Sequence, residues 1–458
     1  MKRGILHILA ANIVYLAVNI LNSFLLPKFL SVESYAVLKT YTLYIGYAGF
    51  LSLGYADGMY LKYGGENMAE VDYSDLSSSY KSFAVLEFAA GLVCTLAAVF
   101  MRDFVLAMFA AGSFCINLIG YYKNFYQAVG AYRLYGRALN YQTILLFAVN
   151  VALLFLLRTD DARIYIGAQV VTALSVMLYL TFLLNHKTSF MRRGKVSLSQ
   201  ITENVSSGFT LMLGNFSSSI FTGLDRWFVK LLMTSVHFAY YSFAVSLENI
   251  LNVFITPITV SLYNIFCKNR QRDYVYRIKK LTLLWGFLII AAAFPVKFIL
   301  STFLTEYMDA AAIIFPLFAA HAFYTIIKGI HVNLYKARRQ QKRYFILMIA
   351  LTAVAVLLNG VLYAFLKTAE AFAAATFLTA LLWFIYCELE SRDIAFHWKE
   401  YLAVLILTGT YFICSGLESW GAGLGIYALT YGIVALLLLR DTLQYVLRAA
   451  NSMLVHRK

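Results

Sequence analysis

Runs of mostly apolar residues alternate with short polar breaks along this chain, and each run has about the twenty residues a helix needs to cross a bilayer. Fourteen runs can be marked, over 5–27, 39–60, 82–101, 104–126, 138–157, 164–184, 205–229, 238–266, 281–300, 309–333, 344–366, 370–389, 400–416 and 422–446. The pattern predicts an all-α polytopic membrane protein. The first run follows a basic start, MKR, and is too long for a signal-peptide core; with no cleavage site behind it, it reads as a retained first helix.

Composition points the same way. The 458 residues are 61% hydrophobic and 13% charged, with a mean hydropathy of +0.70. A soluble domain is nearer about half apolar and a quarter charged, so lipid must solvate the surplus. The net charge of +15 then bears on orientation. With the amino terminus inside, 29 of the 38 Lys and Arg residues fall in cytoplasmic segments, which predicts that both termini are cytoplasmic. No basic tail or soluble basic domain exists to hold nucleic acid. The outer loops are too short for a catalytic domain, and neither an Asp-x-Asp pair nor a histidine cluster is present, so an enzyme is not expected. Cys94, Cys115, Cys267, Cys387 and Cys414 lie in or beside apolar runs and show neither metal spacing nor a disulfide framework.

Two stretches align without a gap at an offset of 209: NFYQAVGAYRLY from Asn124 and NLYKARRQQKRY from Asn333. Asn124, Tyr126, Ala128, Arg133 and Tyr135 match Asn333, Tyr335, Ala337, Lys342 and Tyr344; farther on, Asn150 matches Asn359. The stretches close the fourth and tenth runs, so the repeat unit is six helices. An even number preserves orientation and predicts parallel repeats. The expected organisation is a first lobe over 1–195, a second over 196–398, and two further helices with a tail over 399–458.

Four stretches carry a resemblance: LGYADGMYLKYGG (53–65), FYQAVGAYRLYGRALNY (125–141), GLDRWFVKLLMTSVHFAYYSFA (223–244) and NLYKARRQQKRYFILMIALTAVAVLLNGVL (333–362). In these the chain resembles the polysaccharide, O-antigen-type flippases of the multidrug, oligosaccharidyl-lipid and polysaccharide flippase superfamily. The family's glycine-rich start of the eighth helix is replaced here by TSVHFAYYS. The resemblance implies a bacterial inner-membrane protein with two lobes around a cationic cavity. It would move polyprenyl-diphosphate-linked oligosaccharide from the inner to the outer leaflet by alternating access, for cell-surface polysaccharide. Contact with polysaccharide polymerase machinery follows from the same reading. The alternative on this fold is a cation-coupled multidrug or metabolite extruder. Neither needs a cofactor beyond a coupling ion, H+ or Na+.

The charged residues inside or beside the runs are the candidate sites. FTGLDRWFVKLL puts Arg226 and Lys230 four apart, on one helix face near the outer end of the seventh run. Their long stems permit snorkelling to the interface; alternatively Arg226, oriented by Asp225, pairs its planar fork with a diphosphate. Lys28, Lys62, Lys123 and Lys328 are further candidates for phosphate, or membrane-edge anchors. Asp57 and Lys62, five apart at the inner end of the second run, are candidates for a gate pair or a simple helix-end pair. Glu248 lies near mid-membrane in the eighth run, where a carboxyl is a site for a coupling cation or the partner of a base. His321 lies similarly deep and reads as a neutral, hydrogen-bonded histidine. Most of the 34 Tyr and 36 Phe must be packing residues.

Overall fold

The computed structural model describes residues 17–64, 66–268, 271–338 and 340–445. The first residues of the first run, and the terminal basic residues used to orient the chain, lie outside them. No strand occurs among the described residues. The chain divides into two compact units, 1–222 and 223–458. The sequence reading set its lobe boundary before the helix in which this division falls.

The first unit holds α1 (residues 17–29), α2 (Val32–Ile45), α3 (Tyr55–Lys62), α4 (Tyr73–Met101), α5 (Phe104–Ala128), α6 (Tyr132–Ala152) and α7 (Ala162–Thr188). A further helix, α8 (Leu198–Leu232), begins in it and ends in the second unit. Short polar residues set several starts: Ser31, Asp72, Asp103 and Asp161 accept first-turn backbone N–H groups of α2, α4, α5 and α7. α4 stops where Arg102 turns left-handed, and Asp103 caps the next helix at once, a hairpin of minimal length.

The second unit continues with α9 (Ser235–Lys268), α10 (Arg272–Ile289), α11 (Ala293–Phe303), α12 (Ala310–Ile326), α13 (Asn333–Ala337), α14 (Gln341–Leu366), α15 (Ala369–Glu390), α16 (Trp398–Ser415) and α17 (Trp420–Leu437). At the offset of 209 residues, α5, α6 and α7 correspond to α12–α13, α14 and α15. The lobes are pseudo-symmetric in this sense. Among the described residues nine helices are long and apolar enough to cross a membrane. Phe100, Leu156 and Phe365 are 91%, 81% and 82% exposed, an outward apolar surface that water would penalise and lipid accepts.

The second apolar run is not one helix. α2 gives way to a 3-10 segment, Ala48–Ser52; Leu53 and Gly54 then take left-handed φ of 50° and 84°, and α3 starts afresh. Gly54 tolerates that conformation because it has no Cβ. A Cβ there would also lie 2.8 Å from the Gly208 backbone, and one at Gly58 would lie 2.0 Å from the Asn204 carbonyl oxygen. α3 and the first half of α8 thus cross at backbone contact, a glycine-spaced packing familiar between membrane helices. The corresponding helix of the second unit, α9, is unbroken.

Tyrosines fill the first unit's core. Tyr55 and Tyr121 hydroxyls meet at Ser79, at 2.8 Å to its carbonyl and 2.9 Å to its hydroxyl, and Tyr122 bonds Thr181 at 2.8 Å. Each phenol buries a large ring and still satisfies its hydroxyl.

Candidate functional site

In the second unit, α8, α9, α12 and α15 bring polar side chains into an apolar interior. Asp225, near the end of α8, is buried. Its Oδ2 accepts the Tyr241 hydroxyl of α9 at 2.7 Å and the Thr376 hydroxyl of α15 at 3.3 Å; Oδ1 accepts the Arg226 backbone N–H at 2.8 Å. The carboxylate therefore ties three helices together, rather than forming an ion pair that orients the Arg226 side chain. Its negative charge is still within electrostatic range of that guanidinium. Arg226 itself is half-buried, and its Nε is buried without a hydrogen-bond partner among the described residues. Lys230, one turn on, lies 5.0 Å from the Phe238 ring, a cation–π contact.

Glu248 lies midway down α9 and meets His321 of α12: Oε1 to Nδ1 is 3.0 Å. The other ring nitrogen, Nε2, is 3.2 Å from Asn252 Oδ1, and the Asn252 amide donates to Asn249 Oδ1 at 3.3 Å, which assigns its orientation. Histidine is hydrogen-bonded as the sequence reading expects, and its partner is Glu248. Lys328, in the π-helical segment Ile327–Val332, sits 4.9 Å over the Tyr324 ring, with Glu248 in electrostatic range. π-Helical turns recur at functional sites.

The other candidates belong to the first unit. Asp57 and Lys62 are not paired with each other. Lys62 bonds Asp75 of α4 at 2.9 Å, a carboxylate that also accepts Tyr63 and Gln200 at 2.6 Å each. Asp57 accepts Asn215 of α8 at 3.3 Å. Five residues along a helix face different sides, which is why the pair separates. Lys123 reaches Gln142 at 3.4 Å, and Lys28 is exposed at the end of α1.

Further buried charges lie outside the candidates named from the sequence. Lys279 has no exposed surface: it pairs with Glu388, donates to the Ile394 carbonyl at 2.9 Å and lies 4.3 Å over Phe396. Glu388 also accepts the Phe396 N–H at 2.8 Å and the Tyr401 hydroxyl at 3.0 Å. The cluster pins the segment between α15 and α16. Glu87 is another, 1% exposed in the middle of α4. Asn117 of α5 donates to its Oε2 at 2.8 Å. No group of His, Cys, Asp and Glu suited to a metal ion exists among the described residues.

With this arrangement in view, comparison with solved structures is informative. The lipid II flippase MurJ, in an inward closed conformation, superposes with a TM-score of 0.70 at 13% identity, over 97% of this chain and 100% of that one. The chain has that fold. A MATE in complex with MaD5 matches at a TM-score of 0.51 and 12% identity, over 86% of this chain and 96% of that one. An outward-facing multidrug resistance MATE family transporter of the MOP superfamily gives 0.49 at 12% identity over the same shares. No protein-family model and no curated protein matches the sequence. The shared fold accompanies the internal correspondence of α5, α6 and α7 with α12–α13, α14 and α15.

Proposed function

We propose that this protein is a flippase for polyprenyl-diphosphate-linked oligosaccharide, moving it from the inner to the outer leaflet of a bacterial inner membrane by alternating access. Both termini would face the cytoplasm. The observation that carries this reading is the Arg226 guanidinium, half-buried in an apolar helix with Nε lacking a partner among the described residues. A buried donor left unmet is costly, and an anionic diphosphate oxygen answers it in the planar geometry that arginine prefers. Lys230 and Lys328, each over an aromatic ring, add positive charge to the same unit. Full-length similarity to a lipid II flippase supports a lipid-linked cargo. No bond is broken in the transfer: the charged head crosses while the polyprenyl tail stays in lipid.

The test is export in cells that depend on this chain, with surface polysaccharide and lipid-linked precursor both measured. Arg226→Ala at normal protein level should abolish export and accumulate precursor, and Arg226→Lys should restore part of it. Full export by Arg226→Ala rejects the role. A second reading, a cation-coupled extruder of organic cations, draws on Glu248, a mid-helix carboxyl that a positive cargo would seek. Its signature is gradient-driven uptake of a cationic dye in vesicles, lost in Glu248→Gln.

A further inference from the structure

Glu87 stands apart from everything assigned above. It lies midway along α4, about 21 Å from either end at about 1.5 Å per residue, and is 1% exposed. One carboxyl oxygen, Oε2, accepts Asn117 Nδ2; the other, Oε1, is buried with no partner among the described residues. The same Asn117 nitrogen donates to the Ala48 carbonyl at 2.9 Å. Ala48 is the first residue of the 3-10 segment that interrupts the second helix. One amide therefore joins a mid-span carboxyl to the point where the backbone breaks.

Among the described residues the surroundings offer no counter-charge. The 3-10 segment AGFLS has no titratable side chain. On α5, Tyr121 is committed to Ser79, and Cys115 is buried. On α4 itself, Cys94 is within electrostatic range, and Lys81 is committed to the Gly194 carbonyl at 2.6 Å. Lys62 of α3 meets α4 at Asp75, about 18 Å back along the helix. The turn Phe190–Arg192 leads to Gly194, which seats on Ser77. A metal ion gathers several oxygen ligands, whereas Asn117 presents N–H groups here. An ionised carboxylate is expensive in such a place, and one proton removes the expense.

We propose that Glu87 is a proton-binding site of the first unit, and that its occupancy biases the α2–α3 break through Asn117 and the Ala48 carbonyl. The step is simple: the carboxylate takes a proton from water to become a neutral acid and later returns it, and no other bond changes. The site is independent of the cargo reading, so either can fail alone.

The test uses the full-length protein in lipid nanodiscs. Infrared difference spectra over a pH titration should show a protonated-carboxyl band that Glu87→Gln lacks. Hydrogen exchange of the peptide 46–54, corrected for intrinsic rates, should change at least threefold across the same titration. Asn117→Leu should keep the band and lose the exchange response, separating the site from its link. Should Glu87→Gln not fold, Glu87→Asp should retain a titrating band at a displaced pH. The proposal is overturned if Glu87→Gln keeps every band, if the peptide ignores pH in the parent protein, or if Na+ at fixed pH removes the band saturably, since that would make the ligand a metal cation.

Discussion

Asp225 illustrates how a single charge can be kept in an apolar helix. Three donors reach it, the Arg226 backbone N–H and the hydroxyls of Tyr241 and Thr376, and the shorter of the two side-chain bonds is the tyrosine's. Tyr241→Phe removes that donor from a buried acceptor and should cost about 1–3 kcal/mol of stability. Thr376→Val, at a longer bond, should cost less. Thermal unfolding in detergent checks both, and equal effects would mean that the hydroxyls matter only through packing. Such residues were half-legible beforehand. The expense of Asp225, Arg226 and Glu248 follows from hydropathy alone, whereas Tyr241 and His321 as partners do not, because helices distant in sequence supply them. Glu87 was missed for a different reason. The apolar run read over 82–101 puts it near one end, but Asp72 caps the helix and the polar residues 73–81 form its first turns, so Glu87 lies at the middle. Lys279 escaped in the same way: α10 starts at Arg272, ahead of the run read from 281.

Between residues, the break at Leu53 and Gly54 and the crossing beside it behave as one device. Gly54, Gly58 and Gly208 let two backbones touch, so each added methyl meets peptide atoms that cannot move aside. Gly58→Ala or Gly208→Ala should each lower stability by about 1–3 kcal/mol or more, as overpacking does. Gly49→Ala, where a Cβ would meet nothing within 4 Å, is the matched control and should keep folded yield. Size-exclusion yield and unfolding temperature decide it; a silent Gly58→Ala would mean that α3 and α8 do not cross so closely. Hydropathy read this region as one helix over 39–60, because an apolar pattern carries no record of φ. The four glycines between 46 and 58 were the available signal. The remaining long helices were legible because lipid demands length and apolarity from each separately.

For the molecule entire, the repeat and the parity of crossings make a strict expectation. Between Lys195, just before α8, and Glu418, between α16 and α17, lie α8, α9, the α10–α11 pair, the α12–α13 pair, α14, α15 and α16, seven crossings on the proposed topology. An odd number puts the two positions on opposite sides of the membrane. The charge bias predicts a cytoplasmic Lys195, since its loop also carries Arg192 and Arg193. Both residues are exposed, so a reagent can reach them. In a chain whose five native cysteines are replaced by serine, Lys195→Cys should react with a membrane-impermeant maleimide only after the cells are opened. Glu418→Cys should react in intact spheroplasts. Labelling of both from the same side would remove one crossing and with it the pairing of six helices against six. Exchange of the two patterns would keep the fold and invert the direction in which cargo moves.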